Sequence, residues 1–142
     1  MAGYSGTPLP KKLGIKEKLR VTFVGLPTDV KADLRDALAG CTVVKNGRAA
    51  LDFAMVFAKT QGELKGEFVR LTKLLAPSRM LWVCWPKKTS GVATDMNEND
   101  VRRIGLEAGL VDVKVCAVSQ VWSGLKFVRR VKDRQSFNRK GR

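Results

Sequence analysis

The chain has 142 residues, an apolar fraction of 44% and a formal net charge of +14. This length fits one domain, and the apolar fraction is sufficient for a hydrophobic core. The sequence contains no histidine, which excludes Ser-His-Asp and Cys-His mechanisms, histidine general bases and histidine metal sites.

Helical and strand-like periodicities alternate along the chain. In order, the predicted elements are a short helix over 7–13 closed by Gly14, a strand over 20–25, a helix over 29–38, strands over 42–44 and 52–58, a helix over 61–75, a strand over 79–85, a helix over 97–108, and strands over 111–118 and 125–131 joined by a connection over 119–124.

This alternation predicts an α/β fold with a mainly parallel sheet and helices on both faces. The last two strands follow each other without a helix, and they predict a C-terminal antiparallel hairpin. We expect a single domain over residues 1–131, in which residues 1–19 form an N-terminal loop and the short helix.

Most of the positive charge lies at the two ends of the chain. Residues 1–20 hold five Lys/Arg and one acid, and residues 129–142 hold seven Lys/Arg and one acid. Residues 132–142 have no apolar periodicity, so we expect a basic disordered tail there. Such tails contact nucleic acid without sequence preference, and the segment from Arg129 to Arg142 is a candidate for that contact.

The cysteines and the N-terminal residues indicate a cytoplasmic protein. Cys41, Cys84 and Cys116 lie far apart, each in or beside an apolar run, and we expect three buried, reduced thiols and no zinc site. The N-terminal residues lack the apolar region of a signal peptide. No apolar run approaches the roughly 18 residues of a membrane span, so no membrane contact is expected.

The order of elements resembles a shortened Rossmann-like methyltransferase domain. The resemblance covers roughly residues 13–131 and rests on residues 13–25 for the first strand, on residues 51–57 and 74–83 for the central strands, and on the terminal hairpin. It implies a methyltransferase-like fold and a divergent transferase as one candidate function.

Two departures from this family's pattern count against S-adenosylmethionine as a cofactor. The family has a glycine-rich turn after its first strand, whereas this chain has Gly25, Leu26, Pro27 and Thr28. The family also places an acid at the end of its second strand to hold the ribose, and Lys45 stands near that position. A lysine cannot accept hydrogen bonds, so we expect no bound cofactor.

A more specific resemblance covers nearly the whole chain. Residues 3–9, 11–15, 85–88, 90–95, 109–118 and 122–126 resemble a bacterial family known only as domain of unknown function 3052. The resemblance implies no activity, because none is established for that family.

The segment after the predicted strand 79–85 is the strongest candidate for a binding site. Lysines, hydroxyls and a glycine follow the strand's carboxyl end, where open α/β sheets bind ligands. Lys59 follows the strand 52–58 and could reach the same edge. Ammonium and hydroxyl groups suit phosphate, sulfate or carboxylate, although the same loop could be an ordinary solvated surface. The predicted anion site consists of Lys59, Lys87, Lys88, Ser90, Gly91 and Thr94.

Trp85 and Trp122 are candidates to stack on a ligand ring, but aromatic residues serve mostly in packing. No catalytic constellation is recognisable, so the sequence leaves open whether the protein is an enzyme. We expect an anion-binding or partner-binding domain without ordinary S-adenosylmethionine-dependent catalysis. The alternatives are a divergent transferase and a nucleic-acid-binding protein that acts through its basic ends.

Overall fold

The structure is a computed structural model that describes residues 7–45 and 50–131. The predicted tail at 132–142 lies outside the described residues. In chain order the elements are α1 (Leu9–Leu13), β1 (Arg20–Val24), α2 (Thr28–Leu38), β2 (Thr42–Val43), β3 (Leu51–Phe57), α3 (Gln61–Leu74), β4 (Leu75–Pro86), a 3-10 turn (Lys88–Ser90), α4 (Glu98–Glu107), β5 (Leu110–Ala117) and β6 (Trp122–Arg129).

The strands of the described residues form one six-stranded sheet in the order β2-β1-β3-β4-β6-β5. Strands β1 to β4 are parallel, and β6 is antiparallel to both of its neighbours. This confirms the predicted Rossmann-like, mainly parallel sheet with a C-terminal antiparallel hairpin. The hairpin docks through its second strand, so that β6 lies between β4 and β5.

Helices cover both faces of the sheet, as predicted. Residues of α1 and α2, including Leu13, Val30 and Leu34, are buried on one face. Residues of α3 and α4 are buried on the other face, where Phe68 and Ile104 belong to the larger cluster. Strand β3 lies between the layers, and its continuous apolar run is buried on both sides.

The N-terminal helix is tied to the centre of the sheet. The indole nitrogen of the fully buried Trp82 donates a 2.9 Å hydrogen bond to the carbonyl oxygen of Leu13. Gly14 ends the helix with a φ of 83°, a conformation that favours glycine. The bond satisfies a donor that would be costly to leave unpaired in the core.

Helix α4 packs unusually close to β6 because it carries a glycine at the contact. A Cβ atom on Gly105 would lie 2.1 Å from Cε1 of Phe127. The ring of Phe127 in turn packs edge-on against Phe68, with 5.1 Å between the centroids. These contacts fix the position of α4, whose first turn borders the candidate site.

The last strand begins earlier than predicted, and this corrects the placement of Trp122. The local pattern predicts Trp122 in the connection over 119–124, but it is the first residue of β6 and pairs with Pro86. The Lys87 amide extends the pairing by donating to the carbonyl of Val121 at 2.7 Å. Pairing with β4, which the local pattern does not reveal, extends the strand.

Candidate functional site

The carboxyl ends of β1, β3 and β4 meet at one edge of the sheet, and two clefts open there. The first, which we call the α4 groove, lies between the end of β4 and the start of α4 and has a volume of 450 Å³. The second, the switch-point crevice, lies at the ends of β1 and β3 and has a volume of 430 Å³. Strand order reverses at β1 and β3, which is where open α/β sheets bind ligands.

Three of the predicted anion-site residues line the α4 groove together. Lys87, Lys88 and Thr94 are part of its wall, and Trp85 and Ser123 also line it. Lys88 is exposed, whereas Lys87 and Thr94 are half-buried. The structure therefore brings both predicted lysines to one cleft at the carboxyl edge of the sheet.

Ser90 and Gly91 shape the turn that carries the lysines. The Ser90 hydroxyl donates to the carbonyl of Lys87 at 2.7 Å and accepts from the amide of Val92 at 3.1 Å. Gly91 closes the 3-10 turn with a φ of 80°, which favours glycine. Both residues belong to the turn and are not part of the groove wall.

Carboxylates form the opposite wall of the α4 groove, and the sequence analysis did not anticipate them. Glu98 is ion-paired with Arg102 at 2.7 Å. Asp100 accepts from the Asn97 amide at 3.0 Å and lies 3.7 Å from Arg103. Both acids are thus engaged by their own helix, which reduces the negative charge they present to the groove.

Asp95 also lines the groove, but its carboxylate serves a neighbouring helix. Its Oδ1 accepts from the amide of Gln61 at 2.8 Å, and its carbonyl accepts from the Gln61 side chain at 2.8 Å. Asp95 therefore satisfies an amide at the start of α3. These bonds tie the loop before α4 to the first residue of α3.

Lys59 does not reach the α4 groove but lines the switch-point crevice, together with Gly25, Pro27, Phe57, Glu63 and Trp122. The carbonyl of Lys59 accepts the Thr94 hydroxyl at 2.7 Å, so the walls of the two clefts are joined. The predicted six-residue cluster is therefore distributed over two adjacent clefts and the turn beside them.

Glu63 is held at the crevice by the first turn of α3. Its Oε1 accepts from the amides of Lys59 and Thr60, each at 3.2 Å. These bonds, together with the Thr60 hydroxyl and the Lys59 charge, lower the pKa of the Glu63 carboxyl. Its negative charge beside Lys59 makes the crevice a mixed-charge site.

The two tryptophans proposed for stacking are mostly buried, yet each lines a cleft. Trp85 is 5% exposed and borders the α4 groove, and Trp122 is 8% exposed and borders the crevice. Trp122 packs edge-on against Phe57, with 5.1 Å between the ring centroids. Packing accounts for most of their surface, and only a small part of each side chain is available to a ligand.

Only one of the three cysteines matches the expected burial. Cys84 is fully buried, whereas Cys41 and Cys116 are partly exposed. Burial raises the pKa of the Cys84 thiol well above its ordinary value, and nearby Cys116 acts in the same direction. Burial also raises the pKa of Cys116, against the effect of two neighbouring lysines. All three thiols are free.

The basic C-terminal end is described only at its start. Arg129 donates to the carbonyl oxygens of Thr72 and Leu75 at the end of α3, the latter at 2.9 Å. Its guanidinium therefore caps a helix, while the rest of the candidate nucleic-acid contact, from residue 132 onward, lies outside the described residues.

Within residues 7–45 and 50–131, no group of three or more His, Cys, Asp or Glu side chains could hold a metal ion. In the same ranges, no helix combines the length and apolar character that a membrane span requires.

The grouping of the crevice residues could not be predicted from the sequence, because their proximity depends on strand order. Gly25 and Phe57 are far apart in sequence, but β1 and β3 are neighbours in the sheet. A Cβ on Gly25 would lie 3.0 Å from the carbonyl oxygen of Phe57, and its φ is 69°. The sequence signal for this contact is a single glycine after an apolar strand, and the glycine allows the two backbones to lie close together.

Comparison with known proteins identifies a family and a fold. The sequence profile of a family described as protein of unknown function (DUF3052) matches residues 10–131. No protein of curated function shows significant sequence similarity to the chain.

Solved structures of S-adenosylmethionine-dependent methyltransferases share the fold. An enzyme from Aquifex aeolicus superposes with a TM-score of 0.59 and 17% identity, covering 82% of this chain and 85% of that one. A TehB-like enzyme from Corynebacterium glutamicum gives 0.56 and 7%, covering 91% of both chains. A Burkholderia thailandensis N1-methyltransferase with bound S-adenosylhomocysteine gives 0.57 and 12%, covering 85% and 74%. These likenesses establish a methyltransferase-like fold and nothing finer.

Proposed function

The chain belongs to the DUF3052 family, and we propose that it binds an anionic small molecule in the α4 groove, without ordinary S-adenosylmethionine-dependent catalysis. The observation that carries the proposal is the placement of Lys87 and Lys88 on one wall of a 450 Å³ cleft at the carboxyl edge of the sheet.

The groove supports an anion over a cation because its three carboxylates are engaged within the protein, Asp95 by the amide of Gln61. Glu98 is paired with Arg102, and Asp100 is occupied by the capping bond and by Arg103. Neither Glu98 nor Asp100 is therefore a strong partner for an incoming cation. Lys87 and Lys88 provide charge without a fixed geometry, which suits phosphate, sulfate or carboxylate.

The local backbone supports a fixed site. The Ser90 bonds and the conformation of Gly91 hold the turn after β4 in one shape. Thr94 lines the groove, and its hydroxyl donates a hydrogen bond to the carbonyl of Lys59. The hydroxyl proton is therefore not available to an anion, although the oxygen can still accept a hydrogen bond. We assign Ser90, Gly91 and Thr94 to shaping the site, and the two lysines to contacting the anion.

The turn after β1 supports the second half of the proposal. Gly25 has a positive φ and its backbone lies close to Phe57, and Pro27 is the N-cap residue of α2. Trp122 packs against Phe57 at the same crevice. Lys45 follows β2 where the methyltransferase-like pattern has an acid. The groups that would hold this cofactor are therefore replaced by packing and by positive charge.

A divergent transferase that uses the switch-point crevice differently is the second candidate. The observation that favours it is the presence of Lys59 and Glu63 beside an aromatic wall at the topological switch point. A melting-temperature screen separates the two. Inorganic phosphate should stabilise the wild type but not the Lys87→Ala, Lys88→Ala variant, whereas stabilisation that depends on Lys59 would favour the crevice.

A further inference from the structure

A third cleft, separate from both others, lies beside β2 at the lateral edge of the sheet. It has a volume of 370 Å³ and extends along β1 and β2 toward α2 and α3. We call it the β2-edge cleft. We propose that it binds an amphipathic organic anion, with an apolar body and one carboxylate or phosphate head group.

The cleft exists because the sheet ends early at this side. Strand β2 contains only two residues, and no described strand pairs with its outer edge. Val43 is therefore 49% exposed, although its neighbours in the sheet are apolar. A parallel sheet normally has both faces and edges covered, so this edge leaves apolar surface available.

The wall of the cleft is mainly apolar. Its apolar residues are Phe23, Leu26, Leu38, Val43 and Val44. The floor is firmly anchored, because the Thr22 hydroxyl donates to the Val44 carbonyl at 2.6 Å and the Val44 amide donates to Val21 at 2.7 Å. A pre-formed apolar cleft of this size suits a small ligand with an alkyl or aryl body.

Among the described residues that line the cleft, the charged ones are all positive: Lys31, Lys45 and Arg70. Arg70 is largely neutralised, since its Nε and Nη2 both donate to Glu67, at 3.0 and 2.7 Å. The surplus charge therefore comes from Lys31 and Lys45, and among the described residues neither lysine side chain has an ion pair or a hydrogen bond.

The apolar wall and the two lysines together define the class of ligand. The apolar wall favours an alkyl or aryl body, because removing apolar surface from water is favourable. The lysines favour an anionic head over a neutral or cationic one. The α4 groove differs, because most of its lining residues are polar or charged, so an anion with an apolar body should prefer the β2-edge cleft.

Calorimetric titration of the whole chain with decanoate, decyl phosphate, decanol and decyltrimethylammonium tests the proposal. Decanoate or decyl phosphate should bind at least about fivefold more tightly than the neutral and cationic probes, since the two lysines attract only an anionic head group. The stronger of the two anions identifies the head group. Equal binding of decanol and both anions would overturn the proposal.

Variants locate the site. The variant with Lys31→Gln and Lys45→Gln should lose the preference for the anions, and Val43→Thr should weaken the binding of all the probes. Lys65→Gln with Lys73→Gln removes two exposed charges elsewhere and should leave binding unchanged. Wild-type affinity in the Lys31, Lys45 variant would contradict the assignment.

The salt dependence of binding is a second test that needs no variant. Anion binding should weaken from 50 to 500 mM NaCl, and salt-independent binding would also contradict the assignment.

Discussion

The Thr94 hydroxyl donates a 2.7 Å hydrogen bond to the carbonyl of Lys59 and accepts from the amide of Met96 at 3.2 Å. This single side chain joins the end of β3 to the loop before α4. The two clefts at the carboxyl edge of the sheet therefore share a wall. The shape of the α4 groove depends on Thr94, whose hydroxyl proton is already used in the bond to Lys59.

Thr94→Val keeps the shape of the side chain but removes both bonds. We expect a loss of about 1–2 kcal/mol in the free energy of unfolding, because each such bond contributes about 1 kcal/mol. Urea denaturation measures this loss. Thr89→Val, at an exposed position in the neighbouring turn, is the matched control and should be nearly neutral. Equal effects of the two substitutions would show that the Lys59 bond does not hold the loop.

Glu63 makes part of the stability depend on pH. Its pKa is lowered in the folded state, so its contribution is fully present above the unfolded value near 4.5 and is lost as the pH falls through the folded value. Glu63→Gln retains a capping acceptor but cannot titrate. We therefore expect the variant to lose less stability than the wild type between pH 6 and pH 3.

Denaturation at the two pH values measures this difference. Glu17→Gln, at an exposed loop position, is the control and should follow the wild type. A Glu63→Gln variant with the full wild-type loss would mean that other carboxylates account for the acid sensitivity.

The sequence predicted the fold well because the fold is encoded locally. Apolar runs, caps and glycines identified every described helix, and the continuous apolar run of β3 indicated a strand buried on both faces. The start of β6 at Trp122 could not be predicted, since its pairing with Pro86 is a contact between segments distant in the chain.

The site was only partly predictable for the same reason. The position of Lys87 and Lys88 after a buried strand was sufficient to place them at the carboxyl edge of the sheet. The carboxylates of Glu98 and Asp100 face the same groove because α4 packs tightly through Gly105 onto Phe127, and this approach depends on tertiary contacts. Lys59 follows β3, which is paired with β4, yet it lines the switch-point crevice and not the α4 groove.

The thiols should differ in reactivity. Cys84 is fully buried and its pKa is raised, so it stays a protonated thiol at neutral pH and should react with a thiol reagent only after unfolding. Cys41 and Cys116 are partly exposed and should react earlier. Mass spectrometry of timed iodoacetamide labelling resolves the three sites. Fast native labelling of Cys84 would show that its strand opens readily or that the thiol is activated.

S-adenosylmethionine should not bind tightly. Gly25 and Pro27 replace the glycine-rich turn, and Lys45 cannot accept hydrogen bonds from a ribose. Isothermal titration with S-adenosylmethionine and S-adenosylhomocysteine should give no dissociation constant in the micromolar range or below. Micromolar binding of either compound would instead favour the transferase alternative.

The central claim is that Lys87 and Lys88 form an anion site in the α4 groove. Calorimetric titration with inorganic phosphate tests it most directly, using the wild type, Lys87→Ala with Lys88→Ala, and Lys65→Ala with Lys73→Ala as a control for lost charge. We expect binding in the wild type and the control, accompanied by stabilisation of about 2.7 kcal/mol at a hundredfold excess over the dissociation constant, and no binding in the Lys87, Lys88 variant. The same affinity in all three proteins, or none in the wild type, would contradict the claim.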